Sequence, residues 1–274
     1  MQRFVLLALV MLLTLSACST TSIGLRFLYS RFDNTLNERI LSYADFDSEQ
    51  KSEIRQAVDS YVDWHRQNEL PRYADFADDL NRKLQSGLYT EDDVLASIRR
   101  LRELSDHGFL NSPVVTAADF LRGLSDEQVD QIRAAFDRRD ERFRERQKQR
   151  SKDGPNEVID RIVTNVGRIG INLNTAQREI IARGFENYRW RPDERRRHWQ
   201  DWEEELLAIL GNRNAPGFTE SVRRHLSNYH AVPRNADPDT DAWNQRNSAR
   251  ILHDLLKSLD PVQKQVLVKR LNET

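Results

Sequence analysis

The chain has 274 residues, with Lys+Arg 42 against Asp+Glu 43 and a net charge of −1, so no bulk charge draws it towards nucleic acid. Gly 10 and Pro 8 are too few for a collagen-like, low-complexity or turn-rich β architecture. A single Cys excludes an intrachain disulfide framework and Cys-rich zinc sites. The length suits one large domain or two small ones.

Met1-Gln2-Arg3 is a short positive segment, and Phe4 to Leu15 is an almost unbroken apolar run. That run is shorter than the ~20 residues of a membrane-spanning helix and fits the core of a signal peptide. It ends in Leu15-Ser16-Ala17-Cys18, which resembles the lipobox of bacterial lipoproteins. The resemblance implies cleavage after residue 17 and lipidation of Cys18, with several acyl chains giving stable anchoring. Ser19 stands where the inner-membrane retention signal has Asp, which implies the outer membrane, with the protein on its periplasmic face. Residues 18–24 then form the lipidated Cys and a short tether.

From Leu25 onward apolar residues recur at three and four, the period of an amphipathic helix. Leu25, Leu28, Phe32, Leu36 and Ile40 form the first stripe. A second runs from Ile54, Val58, Tyr61 and Val62 through Leu70 into Tyr73, Phe76, Leu80 and Leu84. Val94, Ile98, Leu101 and Leu104 form a third, opened by Thr90 and Asp93 as a capping pair. Val158, Ile159, Ile162, Val163, Val166 and Ile169 keep the helical period although they are β-branched. Loops are expected at Leu110–Pro113, Lys152–Pro155, Gly211–Gly217 and Ala231–Pro238. The fold class is all-α.

Four segments share one pattern: Phe46-Asp-Ser-Glu-Gln50, Leu124-Ser-Asp-Glu-Gln128, Leu173-Asn-Thr-Ala-Gln177 and Leu259-Asp-Pro-Val-Gln263. Each places an Asp, Ser or Asn three residues before a Gln at the start of a helical stripe, which is a capping box. Pro261 suits the first helical position, and Leu124 can staple to Val129. The boxes also expose a repeat. Gln50 and Gln177 are 127 apart, as are Ile54 and Ile181, and Tyr61 and Tyr188. Tyr73, Phe76, Leu80 and Leu84 match Trp199, Trp202, Leu206 and Leu210 at 126, and Leu124 and Gln128 match Leu259 and Gln263 at 135. This predicts a duplicated helical domain with two pseudo-equivalent halves, residues 25–150 and 156–274, joined at a break near Gly154-Pro155.

The four boxes resemble the Leu-Thr-x-x-Gln motif of the Spy and CpxP type periplasmic proteins, although Thr is never in its place and Phe46 replaces one Leu. The resemblance implies a shallow α-helical cradle and ATP-independent chaperone or stress-accessory activity. The whole chain, and Trp64-His-Arg-Gln-Asn-Glu-Leu-Pro-Arg-Tyr73 in particular, resembles a group of proteobacterial lipoproteins gathered under a domain of unknown function.

No catalytic constellation is visible, and neither a cofactor nor a metal site is expected. No two of His65, His107, His198, His225, His230 and His253 stand at i, i+4. Gly167-Arg-Ile-Gly170 reads as a close helix contact, and Asp201-Trp-Glu-Glu-Glu205 as a mostly solvated acidic face around the core residue Trp202. Two stretches are basic: Arg133 to Lys152, and Arg189 to Trp199, where cations mix with aromatics. They are either solvated faces laced with ion pairs or surfaces for anionic lipid or an acidic partner. The favoured function is therefore a monomeric binding or chaperone-like module of the cell envelope, meeting an envelope protein or an unfolded client. A surface protein using its basic faces is the first alternative and an unrecognised hydrolase the second. Cys18→Ser should leave an unprocessed, non-acylated precursor. Palmitate labelling that persists in the variant would refute the anchor.

Overall fold

The computed structural model describes residues 33–113, 117–229 and 237–272. The signal segment, Cys18, the tether and Ala231–Ala236 of the expected last loop lie outside them. Among the described residues there are helices and no strands. In chain order they are α1 (residues 33–41), α2 (Ser48–Asn68), α3 (Leu70–Ser86), α4 (Glu91–Leu110), α5 (Ala118–Arg122), α6 (Asp126–Arg168), α7 (Thr175–Glu186), α8 (Pro192–Gly211), α9 (Phe218–Ser227), α10 (Pro238–Ser258) and α11 (Pro261–Asn272).

Two apolar cores organise them. Ile54, Val58 and Val62 of α2, Ile132 and Phe136 of α6, Leu206, Leu207 and Leu210 of α8, and Phe218 and Val222 of α9 are buried together in the first. Leu124 and Val129, the expected staple, are buried there too. In the second lie Ile159, Ile162 and Val166 of α6, Ile181 of α7, and Leu255 of α10, with Val266 and Leu267 of α11 packed against them. Helix α3 packs on α11 and α4 on α10. Both groupings cross the midpoint of the sequence. Helices α8 and α9 join the core begun by α2, while α3 and α4 lie against the elements that close the chain.

Three expectations need correction. The expected loop at Lys152–Pro155 is absent, because α6 runs unbroken for 43 residues from Asp126 to Arg168. Proline inside a helix removes one hydrogen bond and costs ~3 kcal/mol. Here each end of the helix is seated in its own core, by Ile132 and Phe136 and by Ile159, Ile162 and Val166, which holds the axis through Pro155. The stripe from Ile54 to Leu84 is not one helix. It breaks at Glu69, which follows α2 and precedes α3, since Pro71 cannot donate to a continuing helix. Gly167 and Gly170 make a helix end and not a helix contact. Gly170 has φ 91, its N–H donates to Gly167 O, and Ile171 N–H reaches back to Val166 O, the paired bonds of a Schellman cap. The close approach falls at Gly184, where a Cβ would lie 2.1 Å from Ile251 Cγ1. Only a glycine lets α7 and α10 pack at that distance.

Candidate functional site

All four predicted boxes close. The amides of Gln50, Gln128, Gln177 and Gln263 donate to the side chains of Asp47, Ser125, Asn174 and Asp260 at 2.8–3.1 Å. Each Gln Oε1 accepts the cap amide in return, at 2.9–3.1 Å. Beyond the single box, the glutamines also meet in pairs. Gln50 and Gln128 exchange amide hydrogen bonds of 3.1 and 2.6 Å; Gln177 and Gln263 exchange bonds of 2.8 and 3.0 Å. Gln128 Nε2 also donates to Asp45 O, Gln177 Nε2 to Ser258 O and Gln263 Nε2 to Asn172 O. Gln128, Gln177 and Gln263 thus use both donors and both acceptors of their amides. A carboxylate could not replace them, because it has no N–H to offer.

The carboxylate stretch behaves as expected with one exception. Asp201, Glu204 and Glu205 are exposed, but Glu203 is buried. Its Oε1 lies 3.0 Å from Arg139 Nη2, and Arg139 also covers the Trp199 ring at 5.2 Å. Burial pushes the Glu203 carboxyl from 4.5 up to about 7, against the pull of Arg139 and with the help of Asp140 and Asp137. Trp199 and Trp202 join Tyr229 in an aromatic cluster, so both are anchors.

The basic stretch of α6 divides. Arg139 pairs with Glu203, Arg144 with Asp140, and Arg196 of α8 reaches the same Asp140. Arg138, Arg142 and Arg146 are exposed, and no ion pair holds them among the described residues. Their i, i+4 spacing puts them in one row. In the second stretch Arg191 pairs with Glu194 and Asp237, Arg189 stacks over the Trp243 ring at 4.0 Å, and Trp190 stays 48% exposed.

Some buried polar groups carry no signal in the sequence, because their partners are far apart in the chain. Glu69 is fully buried and its Oε1 lies 2.9 Å from His107 Nδ1. Arg102 grips Asp241 with two bonds of 2.7 and 2.9 Å. His225 stacks on Trp202 at 4.4 Å and lies 3.4 Å from Glu205; burial lowers its pKa, with Glu205 opposing. His65 is lowered in the same way, with Glu69 opposing. His230 lies outside the described residues. Among the described residues no three His, Cys, Asp or Glu side chains gather as a metal site, and no helix is long and apolar enough to cross a membrane.

These features define an all-helical protein of two cores threaded by one long helix, with paired capping glutamines and arginine-rich exposed surfaces. Residues 42–234 match DUF6279, a family of unknown function, and the chain belongs to that family. No curated protein and no solved structure matches it.

Gln177→Glu sets a carboxylate oxygen against Ser258 O and Gln263 Oε1 and should cost ~3 kcal/mol in urea denaturation at pH 7. Asn174→Ala, which removes one cap bond, should cost ~1 kcal/mol. Equal midpoints for Gln177→Glu and the parent chain would refute the pairing. For Glu203 the folded pKa lies above the unfolded one, so its contribution to stability is complete below pH 4.5 and is lost as pH rises towards about 7. Glu203→Gln should therefore match the parent at pH 4 and exceed it by on the order of 2 kcal/mol at pH 8. A constant difference across that range would show that Glu203 does not titrate there.

Proposed function

We propose that this protein is an outer-membrane lipoprotein of proteobacterial type, anchored through Cys18, whose periplasmic body arose by duplication and acts by binding. Related contacts recur in both parts of the chain and support the duplication. The Gln50–Gln128 pair corresponds to Gln177–Gln263 at offsets of 127 and 135, and Asp45 O to Asn172 O. Arg122 donates to Arg213 O and lies over Phe218. Lys257, 135 residues later, donates to Gly87 O and lies over Tyr89, while Arg213 stands 126 residues after Gly87. The first half lends α3 and α4 to the other, and the second half lends α8 and α9. One chain then contains what the Spy-like proteins assemble from two, and the body is a monomer.

The observation that carries the choice of partner is where the apolar stripes go. They close into two cores, and the large exposed apolar side chains among the described residues are few: Leu88, Leu110, Trp190, Tyr229, Trp243 and Val262. A cradle for unfolded clients needs a broader apolar surface. The row Arg138, Arg142 and Arg146, on the part of α6 between the cores, offers instead a cationic face for an acidic envelope partner. No step of bond chemistry is assigned to it.

Photo-cross-linking from position 141 in intact envelopes tests this reading. An acidic protein should be captured, and high salt or the triple change Arg138→Gln, Arg142→Gln, Arg146→Gln should abolish capture. If the triple variant captures the same protein equally well, the basic row is not the site. Suppression of aggregation without ATP, unchanged in that variant, would return the function to a chaperone cradle.

A further inference from the structure

Between α7 and α8 the chain leaves the helix for five residues, Asn187–Arg191. The counterpart at an offset of 127 is 60–64, which lies inside α2. The two regions therefore differ: α2 has 21 residues and α7 has 12. This is the place where the second half exchanges helix for loop.

The loop is held on its inner side by one face of α10. Asn244, buried, accepts Arg189 N–H at 3.0 Å and donates to Arg189 O at 2.9 Å. Asn247 donates to Gly184 O at 2.8 Å, at the end of α7. Trp243 Nε1 donates to Asn187 O at 2.9 Å, and the Tyr188 hydroxyl meets Ser248 Oγ. Asn244, Asn247 and Ser248 are all buried. Burying that many polar side chains against one segment costs desolvation unless each is bonded, and here each is. The result is a loop fixed before any partner arrives, which lowers the ordering cost of binding.

What the loop displays is an amphipathic aromatic surface. Trp190 is 48% and Trp243 42% exposed. Trp190 stacks on Tyr188 at 5.3 Å, and the Arg189 guanidinium lies over the Trp243 ring. Arg191 is neutralised by Glu194 and Asp237, and Glu186 at the rim is exposed, so the surface is not strongly cationic. Charge is therefore not its principle of recognition. Indole rings with one apolar and one polar edge, beside an arginine whose stem is covered, fit the boundary between lipid headgroups and acyl chains.

We infer that the Asn187–Arg191 loop and Trp243 form a preorganised site that inserts its two indoles into the phospholipid headgroup boundary, with Arg189 on a headgroup phosphate. The inference rests on the lipid-anchored reading for its setting. Asp33, the first described residue, is fifteen residues from Cys18, a reach of at most ~50 Å. That is comparable with the width of the body, so the anchored chain can bring this surface to the bilayer.

The chain from Ser19 onward, which contains every described residue, tests the site without any acyl anchor. Phospholipid vesicles with brominated acyl chains should quench its tryptophan emission, and 0.5 M salt should change the affinity less than twofold. Trp190→Phe with Trp243→Phe should weaken vesicle binding at least tenfold and remove the quenching, while the Arg138, Arg142 and Arg146 triple variant binds as the parent does. Because Trp243 also bonds to Asn187 O, Trp190→Ala alone, whose thermal midpoint should be unchanged, serves as the second variant and should lose most of the quenching. Binding that is unaffected by the tryptophan changes, or binding abolished by the triple change, would overturn the site. So would vesicles left unbound while Trp190→Ala abolishes cross-linking to an envelope protein, which would make the loop a protein-docking element. Vesicle binding with intact quenching but no labelling of Cys18 in cells would refute the anchor and leave the loop standing.

Discussion

A glutamine that caps one helix and at the same time bonds the glutamine capping another is the contact on which this architecture turns. A capping box alone satisfies two amides of one helix. Pairing the two box glutamines converts a local stop signal into a tertiary joint, because one donor and the second acceptor of each amide are committed to the partner glutamine. Gln177 and Gln263 are buried when they do this, and their amides would be costly to leave unmatched. The joint fixes α7 against α11 and α2 against the start of α6. Those are the helices whose apolar faces begin each core.

Helix α6 then carries the consequence across the molecule. One end lies in each core, and exposed arginines stand on the stretch between them. Its basic row lies on the exposed side of the helix, while α8 pairs with Arg139 and Asp140 of the same stretch. Arg139 is drawn across to Glu203 of α8 and Arg144 pairs one turn back with Asp140 of its own helix, whereas Arg138, Arg142 and Arg146 face water without an ion pair among the described residues. Glu203 is the point where this arrangement is sensitive to protons, since burial holds its carboxyl near neutrality.

The loop after α7 owes its setting to packing. Gly184 admits Ile251 at a distance that no side chain would permit, which draws α10 onto α7. That in turn puts Asn244, Asn247 and Ser248 within reach of the chain as it leaves the helix. A surface loop of this kind, tied at four points to a helix behind it, is a sound place for recognition, because its geometry is set by the scaffold.

How much of this was legible in the residues follows from the range of the forces involved. Helix class, the four caps with their Gln partners and the repeat offsets are local or periodic, and they stand in the sequence at Asp47, Ser125, Asn174 and Asp260. The end of α6 at Gly170 was legible too, though it was read as a contact. Gly154 and Pro155 spell a linker by local propensity, and that propensity loses to two cores gripping the same helix from either end. Which glutamine pairs with which, the exchange of α3 and α4 for α8 and α9, the burial of Glu69 and Glu203, and the clamp on Arg189 all join residues tens of positions apart. No spacing rule encodes them. The sequence by itself determined what each segment becomes, because backbone hydrogen bonding and side-chain period act within a few residues; only the tertiary structure decided what each segment meets, because burial is a property of the whole packed chain.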